Sequence, residues 1–306
     1  MSAVALPAGV SVFERGWLSS NNVLLVGPQN TALVDSGYCS HAAQTLALVD
    51  SVLQGRPLDV LVNTHLHSDH CGGNAALQAH YPALQTHIPP GHAPFVAQWD
   101  PHTLSYTPTG QECPQYRYDA ALVPGQTLLL GAQHWQVHAA PGHDSHSVIL
   151  FEPASRTLIS ADALWERGFG VVFPELDGVC AFDEVGATLD LIESLQPSVV
   201  IPGHGGVFTD VAQALQVARQ RLDGFVRSPL KHYQYATKVL IKFKLLDLQR
   251  VPLAQLRGWV GATPYVQGML QCCFPGQPVE QAVDQLLSDL VRSGAAERDG
   301  EWVLNR

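Results

Sequence analysis

Lysine is missing from the first 228 of 306 residues; all four lie at positions 231, 238, 242 and 244. That long stretch sets eight arginines against twenty aspartates and glutamates, a net charge of −12, whereas residues 229–306 sum to +2. So acidic a region should repel polyanions, which argues against general nucleic-acid binding by it. The six cysteines (39, 71, 113, 180, 272 and 273) show no CxxC spacing, and the vicinal pair Cys272-Cys273 suits a disulfide poorly. Reduced thiols, a cytoplasmic address and no cysteine-only zinc site are the expectation. Apolar runs of membrane-spanning length are absent, and Met1-Ser2-Ala3-Val4-Ala5-Leu6-Pro7 has neither the basic start nor the hydrophobic segment of a secretory signal. With 46% hydrophobic and 14% charged residues, the composition is that of a globular protein, one large domain with a small appendage.

Histidine is plentiful, fourteen in all, and its placement is uneven. Thr64-His65-Leu66-His67-Ser68-Asp69-His70-Cys71-Gly72-Gly73 packs three imidazoles and a carboxylate into six positions directly after Val60-Leu61-Val62, which reads as a short buried strand. Alternation along an extended segment puts His65, His67 and Asp69 on one side, and a turn at Gly72 swings His70 back toward them. A single histidine is ordinarily a satisfied polar side chain. Four potential ligands in six positions point instead to a metal, and imidazole with carboxylate suits Zn²⁺ or another first-row ion better than Ca²⁺ or Mg²⁺.

Three strands (10–13, 22–26 and 31–35) open the chain as an antiparallel sheet, followed by a helix over 39–54, the strand 59–63 and a helix over 73–80. Residues 89–119, rich in Pro, Gly and aromatics, read as a long irregular insertion. Trp99 and Tyr106 in it are candidate substrate contacts; the alternative is a surface loop pinned by its own aromatics. The pattern then repeats, with strands at 127–131, 134–139, 147–151, 156–160 and 198–201 and helices at 183–195 and 210–226. Ligand types recur at strand ends: His143 in Pro141-Gly142-His143-Asp144, Asp162 in Ser160-Ala161-Asp162-Ala163, and His204 in Pro202-Gly203-His204-Gly205-Gly206. Two sheet-rich halves with helices outside make an α/β (α+β) αββα sandwich the economical architecture, over residues 1–228.

On these motifs the sequence resembles the metallo-β-lactamase fold superfamily, and within it the glyoxalase II-like hydrolases. The resemblance implies a first divalent metal held by His65, His67 and His143, a second by Asp69, His70 and His204, and Asp162 bridging the two. It also implies Asp35 as a group orienting a ligand histidine. Two such ions about 3.5–4 Å apart acidify a shared water, so few other catalytic groups are needed. Asp69, beside that water, is assigned an acid-base role in addition to ligation. His146 is expected to support a ligand or the fold rather than touch substrate, and Cys71 to be a small packed side chain under the site.

Residues 229–306 differ in composition. Helices over 231–246, 252–260 and 279–293, then a hairpin over 296–304 with Asp299-Gly300 at its turn, resemble a winged helix. Lys238, Lys242 and Lys244 read as a phosphate-facing stripe or, more ordinarily, a solvated face. Lys231, His232, Tyr233 and Tyr235 are candidates for a substrate-facing rim, although no glutathione-clamping motif maps onto them.

The leading reading is thus a dinuclear metal-dependent hydrolase of a small acyl substrate (thioester, ester or lactone). Zn²⁺ is the expected metal and iron or manganese the alternatives. The expected partner is that small molecule, not a nucleic acid or a membrane, with a homodimer left open. The alternative is an endoribonuclease-like phosphodiesterase presenting RNA or DNA on the C-terminal domain. A di-iron redox protein and a regulator without chemistry rank below both, since no Gly-rich flavin-binding pattern is present and no ligand is missing.

Overall fold

Alternation of apolar side chains along short strands builds the first of two units in the computed structural model, which describes residues 4–306. The first residues of the stretch read above as no secretory signal lie outside the described residues. One unit comprises the chain through Tyr106 with Glu112–Leu222, the other Thr107–Gln111 with Asp223–Arg306.

In the first unit, β1 (Val10–Phe13), β2 (Asn22–Val26) and β3 (Thr31–Val34) form an antiparallel meander. Helix α1 (Ala42–Leu53) returns the chain so that β4 (Val60–Val62) lies parallel to β3. The single turn α2 (Ser68–Cys71) and α3 (Asn74–His80) lead to β5 (Gln85–Ile88); after α4 (Ala93–Gln98) and α5 (Tyr106–Thr109), β6 (Ala120–Ala121) completes a six-stranded sheet in sequence order. A second sheet, ordered β11-β10-β9-β8-β7, comes from β7 (Thr127–Leu130), β8 (Gln133–Ala139), β9 (Val148–Glu152), β10 (Thr157–Ala161) and β11 (Val199–Pro202), its last pair parallel. Helices α6 (Phe173–Leu176) and α7 (Phe182–Leu195) precede β11, and α8 (Val211–Arg227) follows it.

The two-residue period of a strand sorts these side chains. Val23, Leu25, Val34 and Val62 of the first sheet pack with Trp135, Val137, Leu150, Ile159 and Ile201 of the second in one buried cluster. Their neighbours Leu24, Leu33 and Leu61 turn the other way and join Val49 and Leu53 of α1 and Leu77 of α3. Each such side chain contributes about 1.5–3 kcal/mol on leaving water, so both faces of the first sheet are anchored and its strand ends are held in place.

Expectation and structure part company in three places. Strands β5 and β6 carry too little apolar alternation to be read alone; parallel pairing with β4 makes a strand of Gln85–Ile88. The 89–119 stretch is not a long irregular loop: it folds into α4 and α5, and Tyr106 and Tyr116 are buried with Leu66 and Cys71. In the second unit, α9 (Pro229–Leu248), α10 (Leu253–Ala262) and α12 (Val279–Arg292) match the three expected helices, but α11 (Pro264–Cys273) is a fourth and β12 (Arg250–Pro252) an extra strand. That strand pairs with β14 (Trp302–Asn305), which also pairs with β13 (Ala296–Asp299) across a turn where Gly300 takes φ +57°. Three of the four lysines of α9 are engaged: Lys242 Nζ reaches Ala295 O at 2.6 Å and Asn305 Oδ1 at 2.5 Å, Lys244 pairs with Asp247, and Lys238 with Asp289. No helix among the described residues is long and apolar enough to cross a membrane.

Gly27, just past β2, approaches the backbone of Gly131 so closely that an added Cβ would sit 2.1 Å from its carbonyl. Backbone on backbone leaves nothing flexible to give way. Gly27→Ala is expected to lose about 2–3 kcal/mol of stability, read as a lowered denaturant midpoint by far-UV circular dichroism; an unchanged midpoint contradicts the close approach.

Candidate metal centre

Every predicted ligand sits where a strand stops. After β4 the chain bends at Thr64 and His65, is extended at His67, then turns at Ser68 into α2, which carries Asp69 and His70. Asp69 therefore faces with His70 rather than with His65 and His67; the alternation expected through Asp69 ends two residues early, because α2 begins at Ser68. Gly72 and Gly73 allow that turn to press on the segment after β3, since a Cβ would lie 2.6 Å from Cys39 N at Gly72 and 2.5 Å from Ser36 O at Gly73. His143 follows β8, and Gly142 before it takes φ +134°. At the end of β10 the pairing with β11 shifts register and Ala161 adopts φ +46°, a bulge that re-aims Asp162. His204 follows β11 beyond Gly203.

These positions gather into two groups of ligand atoms, His65, His67 and His143 in one, and Asp69, His70, Asp162 and His204 in the other. His143 Nε2 lies 2.9 Å from His67 Nδ1 and 3.2 Å from His65 Nε2. In the second group His204 Nε2 is 3.1 Å from Asp69 Oδ2, and His70 Nε2 is 3.8 Å from it. Asp162 faces both ways: Oδ2 is 3.4 Å from His143 Nε2, and Oδ1 is 3.4 Å from His70 Nε2 and 3.8 Å from His204 Nε2. Ligands 2.0–2.1 Å from a tetrahedral zinc ion stand about 3.3–3.4 Å from one another, close to these separations.

A second observation fits the same group. His70 is fully buried, and its Nε2 has no hydrogen-bond partner although its Nδ1 bonds Asp35 at 2.8 Å. An orphaned buried nitrogen beside two carboxylates is a poor structural device and a good ligand. Asp35, held at φ +58°, also accepts bonds from Thr64 N and Thr64 Oγ1, so its carboxylate fixes both the turn and the His70 tautomer. His143 Nδ1 donates to Val171 O and His204 Nδ1 to Gly16 O, leaving each Nε2 for the centre. The backbone crowds in as well: a Cβ on Gly203 would meet Asp162 Oδ1 at 2.2 Å, and one on Gly170 would meet His143 Nδ1 at 2.4 Å.

Electrostatics divide the imidazoles. Burial, reinforced by neighbouring histidines, drives His65 well below its ordinary pKa and His67 down to about 4. For His70 and His204 burial acts in the same direction, but the carboxylates outweigh it: Asp35, Asp162 and Asp69 raise His70 well above the usual value, and Asp162 and Asp69 raise His204. Burial likewise opposes charge on Asp162, yet His204 and His70 hold its carboxyl well below the normal range.

The remaining assigned residues fall elsewhere. His146 is exposed, its ring edge-on to His92 and against Gly91. Tyr106 is 2% exposed and donates to Leu66 O at 2.9 Å; burial under the metal-ligand turn removes it from the substrate contacts. Half-buried Trp99 packs on Tyr106 and Tyr116, and Tyr233 belongs to the other unit. Cys71 is fully buried, its Sγ 3.2 Å from Tyr106 Oη.

Several supporting residues went unread in the sequence. Asn21 ties the β1–β2 hairpin to the His204 loop through Pro202 O and Gly205 O, while Ser20 N bonds Asp69 O. Asn63, Asn74 and Ser36 form a buried polar network under His70 O. Buried Asp144, next to His143, is held ionised against its burial by His67 and His92. Only the last had a signal, as an acid beside a ligand histidine.

Asp35→Asn keeps an acceptor for Thr64 but can turn an amide N–H toward the His70 N–H. Metal affinity is expected to fall about 10–100-fold, read by chelator competition. Because the neighbouring carboxylates favour the protonated state of His70 and His204 in the metal-free protein, metal uptake is expected to release protons. Affinity should weaken as pH falls from 8 to 6; indicator-monitored titration without proton release contradicts that protonation state.

The sequence pattern of the metallo-beta-lactamase superfamily matches residues 15–204. A hydroxyacylglutathione hydrolase of Brucella anthropi is 26% identical over 190 residues, 61% of this chain and 58% of that protein. Thioesterase pkgB of Emericella nidulans is 27% identical over 213 residues, 67% of this chain and 53% of its own length. The matched stretch thus spans little more than half of these two relatives. A metallo-beta-lactamase family protein from Thermus thermophilus, 20% identical, shares the fold over 99% of this chain and 100% of its own, with a TM-score of 0.59. With the matched pattern running from the β1–β2 hairpin to His204, the chain belongs to the metallo-beta-lactamase superfamily.

Proposed function

We propose that this protein is a dinuclear metal-dependent hydrolase of a small acyl substrate, a thioester, ester or lactone, working in a reducing, cytoplasmic setting. One observation carries the reading: the two oxygens of Asp162 face two separate groups of imidazoles. His65, His67 and His143 would hold one ion, and Asp69, His70 and His204 the other, with Asp162 between them. Zinc suits five imidazoles and two carboxylates; iron and manganese suit them as well. Bound there, two divalent ions supply Lewis acidity toward the scissile carbonyl and a water acidic enough to attack at neutral pH.

The chain's own groups do the rest. Asp35, Val171 O and Gly16 O fix the ring orientations of His70, His143 and His204, so the nitrogens turned inward are the lone-pair ones. Asp69 keeps some exposure, 15% for its side chain, where the other carboxylates of the centre are almost closed off. Oδ2 of Asp69 engages His204, and the carboxylate is positioned to take a proton from the attacking water and pass it to the leaving group. The relatives' names, a hydroxyacylglutathione hydrolase and a thioesterase, support an acyl thioester as substrate.

Protein purified without added metal is expected to hold about two metal equivalents by elemental analysis and to lose thioester hydrolysis on chelation. Asp69→Asn should reduce kcat at least about 100-fold with KM little changed. Full activity in metal-free protein defeats the reading; near-normal kcat in Asp69→Asn with metal retained removes the proton-transfer role.

A further inference from the structure

Trp17 is 53% exposed, an unusual condition for the largest apolar side chain, and it stands beside the centre. Its ring stacks on His204 at 5.3 Å with 9° between planes, while Trp165 meets it edge-on at 5.2 Å and 74°. Trp165 Nε1 donates to Asp162 Oδ1 at 3.2 Å, so this indole touches the carboxylate that faces both ligand groups. The two indoles make a corner at the His204 half of the centre. On the other half, the Phe173 ring lies 4.8 Å from His67 and 5.7 Å from His143. Apolar surface left open at the rim of a polar, buried site is the ordinary signature of a ligand wall.

Charge narrows what that wall accepts. The unit holding the centre contains no lysine. Six of its seven arginines are committed to the fold: Arg15 to Asn22, Arg56 to Gly27 O, Arg117 to Leu84 O, Arg156 to Gln196 O, Arg219 to Asp190 and Arg221 to Phe169 O. Beside the indole corner, aromatic surface is plentiful, and the cations of this unit come down to the exposed Arg167, two residues beyond Trp165, a single guanidinium and too few for a polyanionic substrate.

We propose that Trp17 and Trp165 form the subsite for an uncharged aromatic group of the substrate, an arylacyl chain carried by the thioester or ester. This rests on the hydrolase reading above and names the substrate class for the same centre. A flat ring stacks on one indole and meets the other edge-to-face, the two geometries aromatic pairs favour. A linear alkyl chain of equal size gains burial but not that complementarity.

The test uses the metal-loaded full chain and two thioesters of one leaving thiol, phenylacetyl and hexanoyl, with metal content measured for each variant. In Trp17→Ala the phenylacetyl-to-hexanoyl ratio of kcat/KM is expected to fall about tenfold, and Trp17→Phe to retain most of it. An unchanged ratio, or equal losses for both acyl groups, overturns the subsite and leaves the hydrolase standing. Should the unsubstituted protein hydrolyse neither compound with two metals bound, the thioester reading fails, and binding decides the subsite. Phenylacetamide should then bind several-fold more tightly than hexanamide by ligand-observed NMR, with the difference lost in Trp17→Ala; equal binding overturns it.

Discussion

A buried carboxylate with imidazoles on either side is the arrangement on which the rest of the molecule depends. Asp162 is taken out of water by the packing of two sheets, and the neighbouring histidines, with the N–H of Trp165, keep its charge tolerable. Remove the charge and the two ligand groups lose the element they share. Remove the histidines and a carboxylate is stranded in the interior, at a cost of several kcal/mol. The fold answers this by fixing each ring from behind, with a carboxylate for His70 and backbone carbonyls for His143 and His204. Rigidity at the strand ends comes from the apolar layers on both faces of the first sheet, so the polar centre and the hydrophobic core depend on each other.

What the sequence made legible follows from how local each signal is. His65, His67, Asp69 and His70 fall within one short turn, and His143, Asp162 and His204 each follow an apolar run, so type and position were both readable. The main strands of both sheets were legible because each carries its own apolar alternation. Strand β5, with Gln85 and His87, is a strand only because β4 offers it a parallel edge. Helix α11 places Val266, Met269, Leu270 and Cys273 at helical spacing, but Gly268 and the paired cysteines masked it. Tyr106 looked like a binding-loop aromatic because aromatic residues serve both purposes; only the carbonyl of Leu66 shows which purpose applies. The braces at Asn21, Asn63 and Asn74 join segments far apart in the chain, and single asparagines give no warning of such partners.

Trp17 belongs to a different class. It sits in the β1–β2 connection between Gly16 and Leu18, and nothing in its local sequence separates a stray surface indole from one lying on His204. The stack on His204, 187 positions further along the chain, gives it meaning. Its neighbours Ser20 and Asn21 hold Asp69 and the His204 loop by backbone bonds, so the hairpin both braces the centre and borders its mouth.

The order in which the chain supplies its ligands bears on biosynthesis. Neither group is complete in the turn after β4: one waits for His143, and the other for Asp162 and His204. As the protein emerges from the ribosome, the opening sheet can form with its histidines already in place while their counterparts are still untranslated. Assembly of both groups is therefore a late event, following the docking of the parallel β10–β11 pair, and such long-range pairing is slow. Until that moment, the nascent chain holds only part of the second group.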